Sequence, residues 1–188
     1  MSSYASAQHD RMLAGVVKDC YVVALDLTAS PPACRVSDGE WTSAWVRWHS
    51  IAAGKARHWR APSMGEQGAL ISASGDVSQG TFIPGLYGNA GAPPDNRDHV
   101  EVWRFDDGGS LVYDWAANKY TITLPTGEVL VKVGGSTLSV TDNAIAGVAA
   151  AINLKGVVNI DGPLNVTKDI NGAGKIIDAA GNSNHHTH

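Results

Sequence analysis

From Ile152 onward the chain repeats itself every six residues. Ile152-Asn153-Leu154, Val158-Asn159-Ile160, Leu164-Asn165-Val166 and Ile170-Asn171-Gly172 hold equivalent places, Gly156 and Gly162 share one offset, and Ile176 continues the first position. Side chains alternate along a strand, so the first and third residues of each unit face one way and the asparagine the other. A fixed short period with aliphatics on one side is the signature of a β-helix. The number of units then decides the architecture. A hexapeptide helix wound from one chain uses about three units per coil and needs several stacked coils. The units here make fewer than two coils and cannot bury their own aliphatic edge. Three copies around one axis can, each supplying one face of a shared core. The repeat therefore predicts a homotrimeric, intertwined β-helix. Helical heptads are absent, so a coiled coil is not the source of the trimer.

The rest of the chain reads as all-β. Residues 1–19 form a polar leader with one short helical turn around Asp10 to Leu13. In residues 20–88, short apolar runs such as Tyr21 to Leu27, Ala69 to Ala73 and Thr81 to Leu86 are separated by Pro31-Pro32, Ser37-Asp38-Gly39 and Gly65-Glu66-Gln67-Gly68. Trp41 to Ser50 alternates, with Trp41, Ser43, Trp45, Arg47 and His49 on one face. About five strands in a stretch of this length fit a small closed barrel, of which the OB-fold is the commonest example. Residues 89–99 are a linker, 100–175 the trimeric β-helix, or needle, and 176–188 a C-terminal apex. Within 100–175, Val100 to Phe105, Ser110 to Trp115, Tyr120 to Leu124 and Val129 to Val133 alternate apolar and polar residues between turns.

The last residues are Asn184-His185-His186-Thr187-His188. His186 and His188 are two apart, so on a strand both imidazoles project from one face, and His185 faces the other way. A threefold axis would gather six imidazoles, which suit an octahedral ion such as iron(II), nickel or cobalt better than tetrahedral zinc. With no open position, such a site is structural rather than catalytic, tying three C-termini together because metal binding adds to folding free energy.

Composition excludes several classes. There are 14 Lys+Arg against 18 Asp+Glu, a formal net charge of −4, so the basic excess of a nucleic-acid binder is missing. Met1 to Arg11 contains no apolar run and reads as no secretory signal. The longest apolar stretch, Ala144 to Ile152, is mostly alanine and too short to span a bilayer. Synthesis in the cytoplasm without a membrane anchor is expected. Cys20 and Cys34 read as buried, reduced thiols.

A barrel, then an Asn-rich repetitive β-helix, then a terminal HxH motif resembles the phage baseplate assembly protein V family, the central spikes of contractile phage tails and R-type pyocins. The specific parts are Ile152 to Ile177 and His186-Thr187-His188; the barrel matches by pattern. The resemblance implies a trimer whose N-terminal OB-fold docks on the baseplate hub. It implies a needle whose apex holds one iron ion through both histidines of each HxH motif, here His186 and His188. It also implies a particle component that punctures the outer membrane of a Gram-negative cell when the sheath contracts.

Other classes fit less well. Single-stranded nucleic-acid binding by the barrel would use Trp41, Trp45, Trp48 and Trp59 beside Arg47, Lys55, Arg57 and Arg60. The simpler reading puts these tryptophans in the barrel core and in barrel–barrel contacts. A hydrolase has no room in the linker, and Asp95, Asp98 and Glu101 read as solvated loop residues rather than a glycosidase pair. No G-x-S-x-G, P-loop or H-E-x-x-H pattern is present, so no enzymatic activity is expected. A hexapeptide acyltransferase would need many more units.

Overall fold

Period-two burial builds the first half of the chain. In the computed structural model, which describes residues 3–73 and 75–174, β1 (Val17–Asp26) turns Cys20 and Val22 inward, β2 (Ala33–Ser37) turns Cys34 and Val36, β4 (Gln67–Ile71) turns Leu70, and β5 (Thr81–Leu86) turns Phe82. These side chains meet Val46 in one core, against which Leu25, Trp41, Trp48 and Val77 pack. With β3 (Arg47–Trp48) the strand order is β2-β1-β4-β5-β3, antiparallel except for the parallel β3–β5 pair. A Cys34–Val46 bridge joins β2 to the segment entering β3 and closes the barrel. Two devices allow the closure. A register shift in β1 between Val22 and Ala24 strengthens the local twist. Gly68 lets β5 pass, because a Cβ there would strike the Ile83 carbonyl and the Phe82 ring.

Three details differ from the sequence expectation. The polar leader is a helix, α1 (Ser3–Ala14), rather than a single turn, and it stops at Gly15, whose N–H reaches the carbonyls of Arg11 and Met12. The first barrel strand begins at Val17, ahead of the expected boundary at Cys20. The alternating run Trp41 to Ser50 is no continuous strand: Thr42 and Val46 make isolated bridges to Ser37 and Cys34 of β2, and only Arg47–Trp48 forms a strand, paired with β5. The reason is local. Asp38 accepts from the N–H groups of Glu40 and Trp41 at 3.0 and 3.1 Å, and the Ser43 hydroxyl accepts from Val36 N–H at 3.0 Å. Short polar side chains thus take the backbone away from a ladder.

The linker is pinned rather than loose. Gly88 and Gly91 pair across a tight turn. Arg97 forks between Asp95, at 2.7 Å, and Asp114, at 3.1 Å. It leads into an antiparallel sheet of β6 (Val100–Arg104), β7 (Ser110–Asp114) and β8 (Lys119–Thr123). The Asp106–Gly109 turn uses Gly108 at a φ of 87° and an Asp107 carboxylate bonded to Gly109 N–H.

Residues from Thr126 onward form a separate unit. Its sheet is β9 (Val129–Val133), β10 (Ser136–Val140) and β11 (Ile145–Val148), again an antiparallel meander. Beyond it residues 149–174 carry no strand pairing within the chain. The hexad nonetheless repeats in the backbone: Gly156 and Gly162 adopt nearly the same φ, 134° and 138°, a region open to glycine. No coil closes on itself among the described residues, as the small number of hexads predicts.

Candidate functional site

The most unusual surface in the molecule is made of aliphatic side chains that its own chain leaves in water. Ile152, Leu154, Val158, Ile160, Leu164, Val166 and Ile170, the first and third residues of the hexads, are each 46–72% exposed. No described residue of the second unit is buried. Burying one such side chain stabilises by roughly 1.5–3 kcal/mol, so leaving seven exposed forfeits more than a domain this small can spare. A patch of this extent marks an interaction site. The sheet β9–β11 adds to it. Its register sets Val129 opposite Val140 and Val131 opposite Leu138, with Ile145 next to Val140, so one face is aliphatic, and Val131, Leu138 and Ile145 stay half or more exposed.

The sequence-expected metal ligands His186 and His188 lie outside the described residues, as does Ile176. Among the described residues no group of three or more His, Cys, Asp or Glu side chains is placed to hold a metal.

The barrel tryptophans separate into two pairs. Trp41 and Trp48 pack against the core, whereas Trp45 and Trp59 are half or more exposed. Of the four cations expected beside them, Arg47, Lys55 and Arg57 stand exposed and Arg60 is engaged. Arg35 lies over Trp45 at 5.7 Å and Lys18 over Trp41 at 4.8 Å. Arg60 makes a two-bond fork to Glu66 at 2.7 and 2.9 Å. Burial would raise the Glu66 carboxyl, but the Arg60 guanidinium and the Ser63 N–H hold it below its ordinary value. With Trp41 and Trp48 turned to the core and Arg60 held by Glu66, only part of the set a single strand would use faces solvent. The linker carboxylates are likewise occupied. Hydrogen bonds from Arg97 hold Asp95 far below the usual carboxylate range, Asp98 meets His99 at 3.0 Å, and Glu101 accepts from the Trp103 indole at 2.9 Å. None faces another across a cleft.

A small closed barrel followed by a chain that exposes a periodic aliphatic edge defines a module built to associate with further chains. Residues 18–87 match the family model of the type VI secretion system/phage-baseplate injector OB domain, and residues 101–172 that of the Gp138 beta helical trimerization domain. The barrel is thus similar to the baseplate injector OB domains, and the C-terminal part to the β-helical trimerization domains. It is 30% identical over 125 residues to the spike protein of Escherichia phage P2, across 65% of this chain and 58% of that protein. The chain therefore matches a little under three fifths of the length of that curated relative. These matches agree with the barrel and the β-helix read from the sequence. Among the described residues no helix is long and apolar enough to cross a membrane.

Proposed function

We propose that this chain is the homotrimeric central spike of a contractile injection apparatus, phage tail or R-type bacteriocin. The observation that carries the reading is the junction, in one chain, of an injector-type barrel and a hexad edge left 46–72% exposed. The barrel serves as the base, held by a hub protein of the baseplate. The hexads of three copies bury one another and make a needle that is pushed through the outer membrane of the target cell. The role is mechanical, and no reaction is assigned to any residue. As a tail component the protein would act outside the cell that makes it.

At the tip, His186 and His188 of the three copies would hold one metal ion, best an octahedral one such as iron. The support is the donor set: two imidazoles two residues apart, supplied three times. Bound metal would supply cross-linking of three chain ends and no chemistry. Native mass spectrometry of the untagged protein, beside a His186→Ala/His188→Ala variant, tests both parts. A trimer carrying one divalent transition ion, lost in the variant, is the expected result. A trimer without metal would remove the ion and leave the spike. A metal-free monomer would sink the spike.

A further inference from the structure

Residues 41–62 of the barrel carry Arg47, Lys55, Arg57 and Arg60 and no carboxylate, in a chain whose net charge is −4. The middle of this stretch is a narrow hairpin. Ala53 bridges Arg57, the His58 N–H reaches the Ala52 carbonyl at 2.9 Å, and the Ser50 hydroxyl donates to the His58 carbonyl. Lys55 and Arg57 are exposed at its tip, and on its two arms Ile51 and Trp59 are 78% and 64% exposed. The Trp59 ring is held in place, tilted against Trp48 at 5.7 Å, and Trp48 in turn packs on the core. Arg60 is tied to Glu66. Among the described residues Arg47, Lys55 and Arg57 make no ion pair, and the Arg57 guanidinium reaches only the Gly54 carbonyl, at 3.4 Å.

We infer that this hairpin is a contact for an anionic lipid surface. Arg47, Lys55 and Arg57 meet headgroup phosphates, while the Trp59 ring and Ile51 enter the boundary between headgroups and acyl chains. The contact belongs to the barrel and stands apart from the needle. Charge selects the occupant first: a carboxylate-free basic loop on an acidic chain is complementary to a negative surface, and to little else on the chain itself. Composition selects it second. Cations with a tryptophan and an aliphatic side chain between them suit the membrane–water interface, where apolar burial and attraction to anionic headgroups add. The residues between them, Ala52, Ala53, Gly54 and Ala56, are small and uncharged, so nothing else at the tip resists the approach. A single nucleic-acid strand stacks its bases on successive rings, and here the ring next to Trp59 is turned to the core. An acidic protein would have to set a carboxylate opposite each cation, whereas a lipid surface offers phosphate wherever the tip lands.

Flotation of the full-length protein with vesicles of phosphatidylglycerol and phosphatidylcholine in equal parts, beside vesicles of phosphatidylcholine alone, tests the contact. The protein should float with the first and not the second, and added salt should release it. Lys55→Gln/Arg57→Gln should weaken binding roughly 25-fold, each cation near an anionic surface being worth about fivefold. Both side chains are exposed, so the variant should sediment as the wild type does. Vesicles with brominated acyl chains should quench tryptophan emission, and Trp59→Phe should remove most of that quenching. Equal flotation with both vesicles, or flotation unchanged in the double variant, overturns the inference. Flotation lost in Leu164→Ala but kept in the double variant also overturns it, by placing the contact in the needle. Tighter binding of a labelled single-stranded oligonucleotide than of vesicles, lost in the double variant, would assign the hairpin to nucleic acid instead.

Discussion

The barrel and the hexad strand use the same alternation of aliphatic and polar residues, but only the barrel is buried by its own chain. Leu70, Phe82, Cys34 and Val36 are completely enclosed, whereas the hexad aliphatics of equal size stand in water. The difference lies in connectivity. Barrel strands return on themselves through short turns, so a second strand is always near in sequence, and the sheet closes. Among the described residues the hexads never pair back on the chain, so in the proposed trimer the strands that cover them belong to other copies. Stability of the barrel is then a property of one chain. Stability of the proposed needle would depend on protomer concentration, as for any obligate assembly.

The largest effect should come from the needle. Truncating a core leucine costs about 2–5 kcal/mol, and a threefold assembly suffers it three times, so Leu164→Ala should cost about 6–15 kcal/mol per trimer. Sedimentation at micromolar concentration should then show monomers, while the barrel's denaturant midpoint stays where it was. A trimer unaffected by Leu164→Ala would mean that the hexads are not the shared core. Next comes the barrel. Phe82 is fully enclosed, and Phe82→Ala should cost about 3–5 kcal/mol of barrel stability, read by chemical denaturation, with no change in the concentration dependence of assembly. Loss of the trimer in that variant would show that the two regions fold as one.

How much of this was legible beforehand follows the same division. The spans of β5 to β8 were readable to within a residue because alternation was unbroken and turn residues bounded it, and Thr81 to Leu86 falls where the sequence placed it, whereas β4 starts at Gln67, inside a stretch read as a turn. The hexad was the strongest signal and reappears as matched backbone at Gly156 and Gly162. Trp41 to Ser50 misled because its alternation was real while Asp38 and Ser43 drew the backbone into turns, a competition that periodicity does not register. The helix α1 was underestimated because its residues are good helix formers without an apolar stripe, and nearly all of it is exposed. β11 was hidden inside the alanine-rich run beginning at Ala144. The basic hairpin was partly legible, since Trp59, Lys55 and Arg57 stand together in the sequence, but only the fold separates them from the tryptophans packed on the core and from Arg60. His186 and His188 remain a reading of the sequence.

The smallest effect gives the cleanest separation of the two regions, because it is reported from inside the barrel alone. Cys20 and Cys34 are free and buried, the Cys20 thiol aimed at the Gly68 carbonyl at 3.8 Å. Burial pushes both thiols from an ordinary 9.0 up to about 11, since a thiolate in an apolar interior loses its hydration. The folded state therefore holds these protons more tightly than the unfolded chain. The stability this represents is complete below about pH 9 and is lost as pH rises through about 11. At pH 8 neither thiol should react with a disulfide reagent except when the barrel opens, so both should label at one shared rate. Phe82→Ala should speed that rate by roughly a hundredfold to several thousandfold, its 3–5 kcal/mol expressed as open population. Leu164→Ala should leave it unchanged, although it dissolves the trimer. If Leu164→Ala accelerates labelling as Phe82→Ala does, the barrel borrows its stability from the needle. If neither does, labelling proceeds through a local opening of β1 or β2, and the thiols report a strand rather than the fold.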